Sequence, residues 1–241
     1  MNPASPTHYQ IHHYPTEWID VWHCAHKHRG ARLTLRPILP QDQAGLAQMV
    51  DGLSAKSRHE RFHGGIKHLS AQWLSRMTEL DYQQHLAFVV THRCGRLDEE
   101  IVAEARYAID GAASPDGQAA AEFALSVRDD WQGCGIGLRA MCALLVAARE
   151  HSLNWLHGEV IADNTAMLGL MRRCQFICTP CTEDAQLVHV ERSLSLSPPL
   201  PWPQDTINKT GSKAGALSTG APSSWLTRWQ PSSLMSIWGT R

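Results

Sequence analysis

The chain has 241 residues, 43% of them hydrophobic, and a formal net charge of −1. This length suits one medium-sized domain with extensions better than two full domains. The near-neutral charge argues against a nucleic-acid partner held by a broad basic face. Because no run of eighteen apolar residues occurs, we expect no membrane span and no membrane partner.

The seven cysteines are odd in number and scattered along the chain. That usage fits free thiols better than a disulfide framework. The N-terminus has no basic segment followed by an apolar stretch, so a secretory signal is not expected. Together these features predict a cytoplasmic protein.

Composition divides the chain into three parts. Residues 1–31 are rich in histidine and weakly periodic, and we interpret them as an N-terminal extension. Residues 32–195 carry the periodic segments of a folded domain. Residues 196–241 are rich in Ser, Pro, Gly and Thr, which predicts a mostly disordered tail. We expect its tryptophans, Trp202 among them, to attach only loosely, and docking on the domain or on a partner is the alternative.

The folded part is predicted to run strand, two or three helices, three strands, helix, strand, helix, strand. Asp42 is the expected cap of the first helix. The strands are expected at 33–38, 86–92, 100–110, 120–127, 155–161 and 187–194, and the helices at 43–53, 54–62, 70–80, 138–150 and 165–173. This order predicts an α/β fold with a mixed sheet and helices on both faces.

The sharpest local pattern is DDWQGCGIGL, from Asp129 to Leu138, which follows a strand and opens a helix. Its alternating glycines, Gly133, Gly135 and Gly137, let the backbone approach a ligand closely. Several backbone N–H groups would then converge at the positive end of a helix dipole. Such an arrangement binds phosphate or pyrophosphate.

Three kinds of phosphate loop compete for this segment. The nucleoside triphosphate loop needs Lys and then Ser or Thr after its last glycine, but Leu138 and Arg139 stand there. The dinucleotide fingerprint needs a third glycine in place of Leu138, although Glu159 supplies the acid expected about 20 residues later. The pattern Gln/Arg-x-x-Gly-x-Gly/Ala is matched in full by QGCGIG. On these six residues alone, a glycine-rich turn without a ligand is the alternative.

The matched pattern is that of the GNAT acyltransferases, and the chain resembles this superfamily from about residue 32 to residue 194. The strand at 122–127 with the glycine loop is similar to the family's coenzyme-binding core, and EVIADN at 159–164 is similar to the segment that closes the site. LSAKSRHERF, LDY and VRDDWQG further resemble the acetyltransferase domain of bacterial protein-lysine acetyltransferases. The resemblance implies a GNAT-like, mostly antiparallel twisted sheet flanked by helices on both faces.

By this resemblance, the protein is an N-acetyltransferase that moves an acetyl group from acetyl-CoA to a primary amine by direct attack in a ternary complex. Acetyl-CoA would lie between two splayed strands, at 124–127 and 155–161. The implied coenzyme-binding residues are Leu125, Val127, Gln132, Gly133, Cys134, Gly135, Ile136, Gly137, Leu138 and Asn164. The acceptor is a protein lysine or a small-molecule amine; a non-catalytic acyl-CoA-binding regulator is the alternative from another class. No metal is expected.

Glu122 is the general base that the resemblance implies, because the family often places its base where the strand enters the coenzyme loop. Amines with a pKa of about 10.4 are almost fully protonated near neutral pH, so a base lowers the barrier to attack. Glu104, on the neighbouring strand, is the second candidate, and a solvated carboxylate without a role is the alternative for Glu122. Many members use a tyrosine to protonate the departing thiolate; Met171 stands at its position here.

Four further patterns carry weaker signals. Cys134 lies where a helix N-terminus would lower the pKa of its thiol, so a transient acyl-cysteine is a minor alternative to direct transfer. The CxxC at 178–181 and the His/Cys cluster at 23–28 lack further partners in a metal-binding frame, which favours free thiols and a polar arm. The basic run at 56–68 suits either an anionic ligand or a solvated helix surface.

Overall fold

The computed structural model describes residues 14–64, 66–95, 98–109 and 119–203. Within these ranges the strands are β1 Asp20–His23, β2 Arg32–Pro37, β3 His85–Arg93, β4 Glu99–Ile109, β5 Ala120–Val127, β6 Trp155–Ile161, β7 Ile177–Pro180 and β8 Leu187–Ser193. The α-helices are α1 Gln43–Asp51, α2 Ala55–Phe62, α3 Ala71–Thr78, α4 Ile136–Glu150 and α5 Thr165–Arg173. None of these helices is long and apolar enough to cross a membrane.

The strands form one sheet in the order β1-β2-β3-β4-β5-β6-β8-β7. Every neighbouring pair is antiparallel except β5 and β6, which run parallel. The two strands before the glycine loop, β4 and β5, pair antiparallel. The expected α/β fold with a mixed, mostly antiparallel sheet is confirmed.

Helices cover both faces of the sheet centre. On β4, Arg106 donates to the Met77 carbonyl of α3 at 3.1 Å, so its side chain faces the α2–α3 side. Leu125, opposite the neighbouring residue Ala105, faces α4, because a Cβ added at Gly137 would lie 3.6 Å from its side chain. Since successive residues point to opposite faces, the two helical layers lie on opposite sides. This explains why β3 and β4 are buried along most of their length.

The turn between β2 and α1 departs from the expected cap. Asp42 stands at the N-cap position of α1, but its side chain makes no capping hydrogen bond there. Its carboxylate instead accepts hydrogen bonds from the Arg36 guanidinium at 2.7 and 2.8 Å and from the Leu39 N–H at 2.7 Å. The prediction that the Asp42 side chain caps α1 is therefore wrong. Asp42 instead connects the turn to Arg36 on β2.

The predicted N-terminal extension contains structure from residue 14 onwards. Strand β1 pairs antiparallel with β2 at the edge of the sheet. Trp18 and Trp22 are buried in the core, and the Trp18 indole donates to Glu150 at 3.0 Å. Residues 1–13 lie outside the described ranges, and the domain boundary at residue 32 stays a prediction.

The first residues of the predicted tail are held against the domain. Three arginines donate hydrogen bonds to carbonyl groups of the segment. The pairs are Arg149 with Ser197, Arg192 with Pro198 and Arg139 with Pro203. The Trp202 ring also lies 5.8 Å from the Arg139 guanidinium, so the loose attachment expected for this tryptophan is wrong. Residues 204–241 lie outside the described ranges.

Candidate active site

Strands β5 and β6 separate partway along their length. Their parallel pairing covers only Ala120–Glu122 against Trp155–His157, although β5 continues to Val127 and β6 to Ile161. A Cβ added at Gly158, just beyond the last pair, would lie 3.2 Å from the Phe123 carbonyl oxygen. Glycine therefore lets the two strands pass closely before they part, and the predicted splay is present.

The glycine loop presents an uncapped helix start. Gly133 and Gly135 have φ values of 77° and 79°, a left-handed conformation that favours glycine. Gly135 is the N-cap of α4 and supplies no side chain to that end. The first N–H groups of the 15-residue helix are thus left for an anion beside the positive end of its dipole.

A cleft of about 340 Å³ lies between β5, the glycine loop and α5. Nine of the ten predicted coenzyme residues line it: Leu125, Val127, Gln132, Gly133, Gly135, Ile136, Gly137, Leu138 and Asn164. The Gln132 amide donates to the Val127 carbonyl at 3.1 Å, which ties the loop to the end of β5. Asn164 Oδ1 accepts from the Met167 N–H at 2.9 Å and caps α5, so its side-chain N–H groups are the ones left to face a ligand.

Cys134 is the predicted coenzyme residue that does not line the cleft. Its side chain is buried and contacts Cys24 of the N-terminal segment. Burial, reinforced by the neighbouring Cys24 thiol, raises the pKa of Cys134 above its usual value. The predicted lowering is wrong because the thiol points into the core rather than towards the helix start.

A second cavity, of about 300 Å³, adjoins the cleft. We call it the acceptor cavity. The carboxylates of Glu60, Glu122 and Glu159 line it, together with an apolar group of side chains. That group comprises Phe62, Ile66, Trp73, Met77, Ala108, Phe123, Ala124, Leu125, Val160 and Met167. Glu122 is exposed and stands opposite His157 at the last pair before the strands separate.

Glu104, the second candidate base, is locked between two arginines. It is 2% exposed and pairs with Arg106, and its Oε2 lies 3.3 Å from Nη2 of Arg61. Burial alone would raise the pKa of Glu104, but the two guanidinium groups together lower it. A carboxylate held ionised in this way is a weak proton acceptor, which disfavours Glu104 as the base.

The position expected for a proton-donating tyrosine is apolar. Met171 is fully buried and lines neither cavity. No tyrosine among the described residues lines either cavity, and the hydroxyl groups of Tyr14, Tyr82 and Tyr107 bind the Pro37 carbonyl, the Ile38 carbonyl and His151. The cleft therefore lacks a phenol within the described part of the chain.

Two residues that sequence reasoning did not assign lie between the cavities. Glu60 and Arg61, on α2, line both the cleft and the acceptor cavity. The sequence signal was their place in the segment LSAKSRHERF and, for Arg61, in the basic run at 56–68, although neither pattern assigns them a role.

Helix α2 is also hydrogen-bonded to the start of the glycine loop. The Asp129 carboxylate accepts from the Ser54 N–H at 2.9 Å and from the Ser54 and Ser57 hydroxyls at 2.8 and 2.7 Å. Partial burial alone would raise the pKa of Asp129, but these hydrogen bonds lower it below 3.8. Asp129 thus joins the wall of the acceptor cavity to the cleft.

Comparison with known proteins gives one consistent result. Residues 32–177 match the family model described as the Acetyltransferase (GNAT) domain. Acetyltransferase PA5475 of Pseudomonas aeruginosa is 33% identical over 162 residues, which are 66% of this chain and 83% of that protein. Acetyltransferase Pat of Mycolicibacterium smegmatis is 32% identical over 139 residues, 58% of this chain, and the match spans only 39% of that relative.

The same fold is found in the crystal structure of the GNAT domain of S. lividans PAT. That domain aligns with a TM-score of 0.65 at 23% identity, and the alignment covers 75% of this chain and 99% of that one. The likeness concerns the fold.

Proposed function

The chain belongs to the GNAT acetyltransferase family, and on that premise we propose that it acetylates the side-chain amine of a protein lysine by direct attack in a ternary complex. As a member, it is an acetyl-CoA-dependent N-acetyltransferase. The observation that supports the finer proposal is that a cleft with an uncapped helix start adjoins a carboxylate-lined cavity, at a wall that both share.

The cleft fits acetyl-CoA, which supplies an activated thioester when bound. The uncapped start of α4, from Ile136 to Leu138, would hold the diphosphate through backbone N–H groups. Beyond Glu122 the β6-facing side of β5 has no strand partner among the described residues, so main-chain groups of Leu125 and Val127 would bind the pantetheine arm. The Val127 N–H would stabilise charge on the thioester oxygen, an effect of roughly 3 kcal/mol in other enzymes.

The acceptor cavity fits a cation on an apolar stem. The carboxylates of Glu122 and Glu159 would attract an ammonium group, while Trp73, which is 42% exposed, offers a ring for a four-carbon stem. A lysine side chain combines these two features. An acceptor without the stem would leave the apolar wall unused.

Glu122 is the proposed general base. Deprotonating a lysine of pKa about 10.4 near neutral pH costs roughly 4 kcal/mol at 1.36 kcal/mol per unit. Glu122 lies in the acceptor cavity where β5 and β6 part, so it can accept the amine proton directly or through a water molecule.

The test is release of CoA thiol with a panel of acceptors. We expect release with lysine peptides and none with matched norleucine peptides, and label from radioactive acetyl-CoA should enter proteins of a cell lysate. Release of CoA thiol only with small amines would show that the acceptor is a small-molecule amine and not a protein lysine. Coenzyme binding without any release would identify an acyl-CoA-binding regulator.

A further inference from the structure

We propose that Arg61 stabilises the thiolate that departs during acetyl transfer, a task for which no tyrosine among the described residues lines the cleft. The inference rests on the proposed acetyl transfer and adds a residue to it.

Arg61 lies at the place where transfer must occur. An amine in the acceptor cavity can reach an acetyl group in the cleft only across their shared wall, which is formed by Glu60, Arg61, Leu125, Asn164 and Met167. Arg61 is the cation in that set. Its side chain is 13% exposed, so its field is weakly screened by water.

The charges around Arg61 leave a surplus of positive charge. Arg61 and the buried Glu104 and Arg106 form a group of two guanidiniums and one carboxylate, with a formal sum of +1. Arg106 also donates a hydrogen bond to the Met77 carbonyl. The Nε of Arg61 is buried and has no hydrogen-bond partner among the described residues. A buried donor left unused is costly unless a ligand completes it.

Among the described residues, none of the other charged groups near the shared wall is seen in an ion pair with Arg61. Glu60 lies 3.7 Å from the Lys56 ammonium, and Asp129 is engaged with two serines. The remaining titratable groups lining the two cavities are His63, Glu122 and Glu159 on the acceptor side and Arg173 on the coenzyme side.

The chemistry needs such a cation. As the amine nitrogen bonds to the acetyl carbon, the carbon–sulfur bond breaks and its electron pair stays on sulfur, while the amine proton passes to Glu122. Without an acid to protonate it, the sulfur carries a full negative charge that a preorganised guanidinium can stabilise.

Bound CoA reports this field directly, because the thiol of free CoA ionises to the same thiolate. The pKa of the bound thiol is measured from its ultraviolet absorbance as the pH is raised, in wild type, Arg61→Gln, Arg61→Lys and the exposed control Arg172→Gln. We expect Arg61→Gln to raise the thiol pKa by about one unit, since one nearby charge commonly shifts a pKa by about 1–3 units. Arg61→Lys should restore most of the shift, and Arg172→Gln should match wild type.

Turnover provides a second readout. Arg61→Gln should lower kcat about tenfold and change the KM for acetyl-CoA by less than about twofold. Glu104→Gln should lower the thiol pKa further, because it removes the compensating carboxylate. An unchanged thiol pKa in Arg61→Gln, or loss of CoA binding by that variant alone, would overturn the role. Failure of wild type to bind CoA would instead remove the proposed function.

Discussion

The coenzyme cleft and the acceptor cavity adjoin but are built differently. At the start of α4 the cleft presents a helix end without a capping side chain, and residues of α2, β5 and α5 complete its lining. The acceptor cavity is made by side chains from α2, α3, β4, β5, β6 and α5. Changes of main-chain conformation should therefore damage the first, and changes of single charges should damage the second.

The largest effect is expected from Gly135→Val. A branched residue at φ 79° strains the backbone by about 1–3 kcal/mol and displaces the N–H groups at the helix start. We expect CoA affinity to fall at least about 100-fold, measured by titration calorimetry. Gly30, with φ 85° and open space around it, is the matched control. Gly30→Val should lower the melting temperature and spare CoA affinity; equal losses in both variants would mean that strain alone is responsible.

Glu122→Gln should reduce turnover at least about tenfold because it removes the proton acceptor. Acetyl-CoA affinity should stay nearly intact, since the residue lines only the acceptor cavity. Glu159→Gln, another carboxylate of that cavity, is the control and should cost less than Glu122→Gln. If Glu122→Gln turned over as fast as wild type, Glu122 would not be the general base.

Asp129→Asn tests whether the two regions act together. Loss of the ionised hydrogen-bond acceptor should weaken coenzyme binding about fivefold and also lower turnover. Because the pKa of Asp129 is lower in the folded protein than its usual 3.8, its stabilising effect is present above that pH and is lost as pH falls through the lowered value.

The melting temperature of Asp129→Asn should consequently fall less than that of wild type on acidification below pH 3.8. Asp130→Asn, at an exposed carboxylate bound to Arg128, is the neighbouring control for coenzyme binding. Identical coenzyme affinities in the two variants would contradict a specific link through Asp129.

Cys134→Ala should have the smallest effect on activity. Its thiol is buried away from the cleft, so turnover and CoA affinity should stay within about twofold of wild type, while stability falls by about 1 kcal/mol. Kinetic assays and thermal melts check both points. Loss of activity with retained folding would revive the acyl-cysteine alternative.

The glycine loop could be located from sequence because its requirement is local. Gly133 and Gly135 have a left-handed backbone conformation, which favours glycine at those positions. The resulting sequence pattern occurs once in the chain. The fold class was likewise accessible, because most helices and strands carry their own apolar periodicity. Glu122 lies near the start of β5, as the sequence indicated, and lines a cavity, whereas its role as the base stays a prediction.

Features set by distant contacts escaped prediction. The edge strands β1 and β7 have four residues each, too few for a clear alternation. The direction of the Cys134 thiol depends on packing against Cys24, and the burial of Met171 depends on the core. The surplus positive charge belongs to the group that Arg61 forms with Glu104 and Arg106. Those two residues follow Arg61 by 43 or more positions in the sequence, so only the fold brings them together.

The central claim is that backbone N–H groups at the start of α4 hold a diphosphate. Calorimetric titration of the full chain with CoA and, separately, with pantetheine tests it, since pantetheine keeps the thiol arm and lacks the diphosphate. We predict measurable binding of CoA and at least about 100-fold weaker binding of pantetheine. Equal affinity for both, or no binding of CoA, would contradict the account.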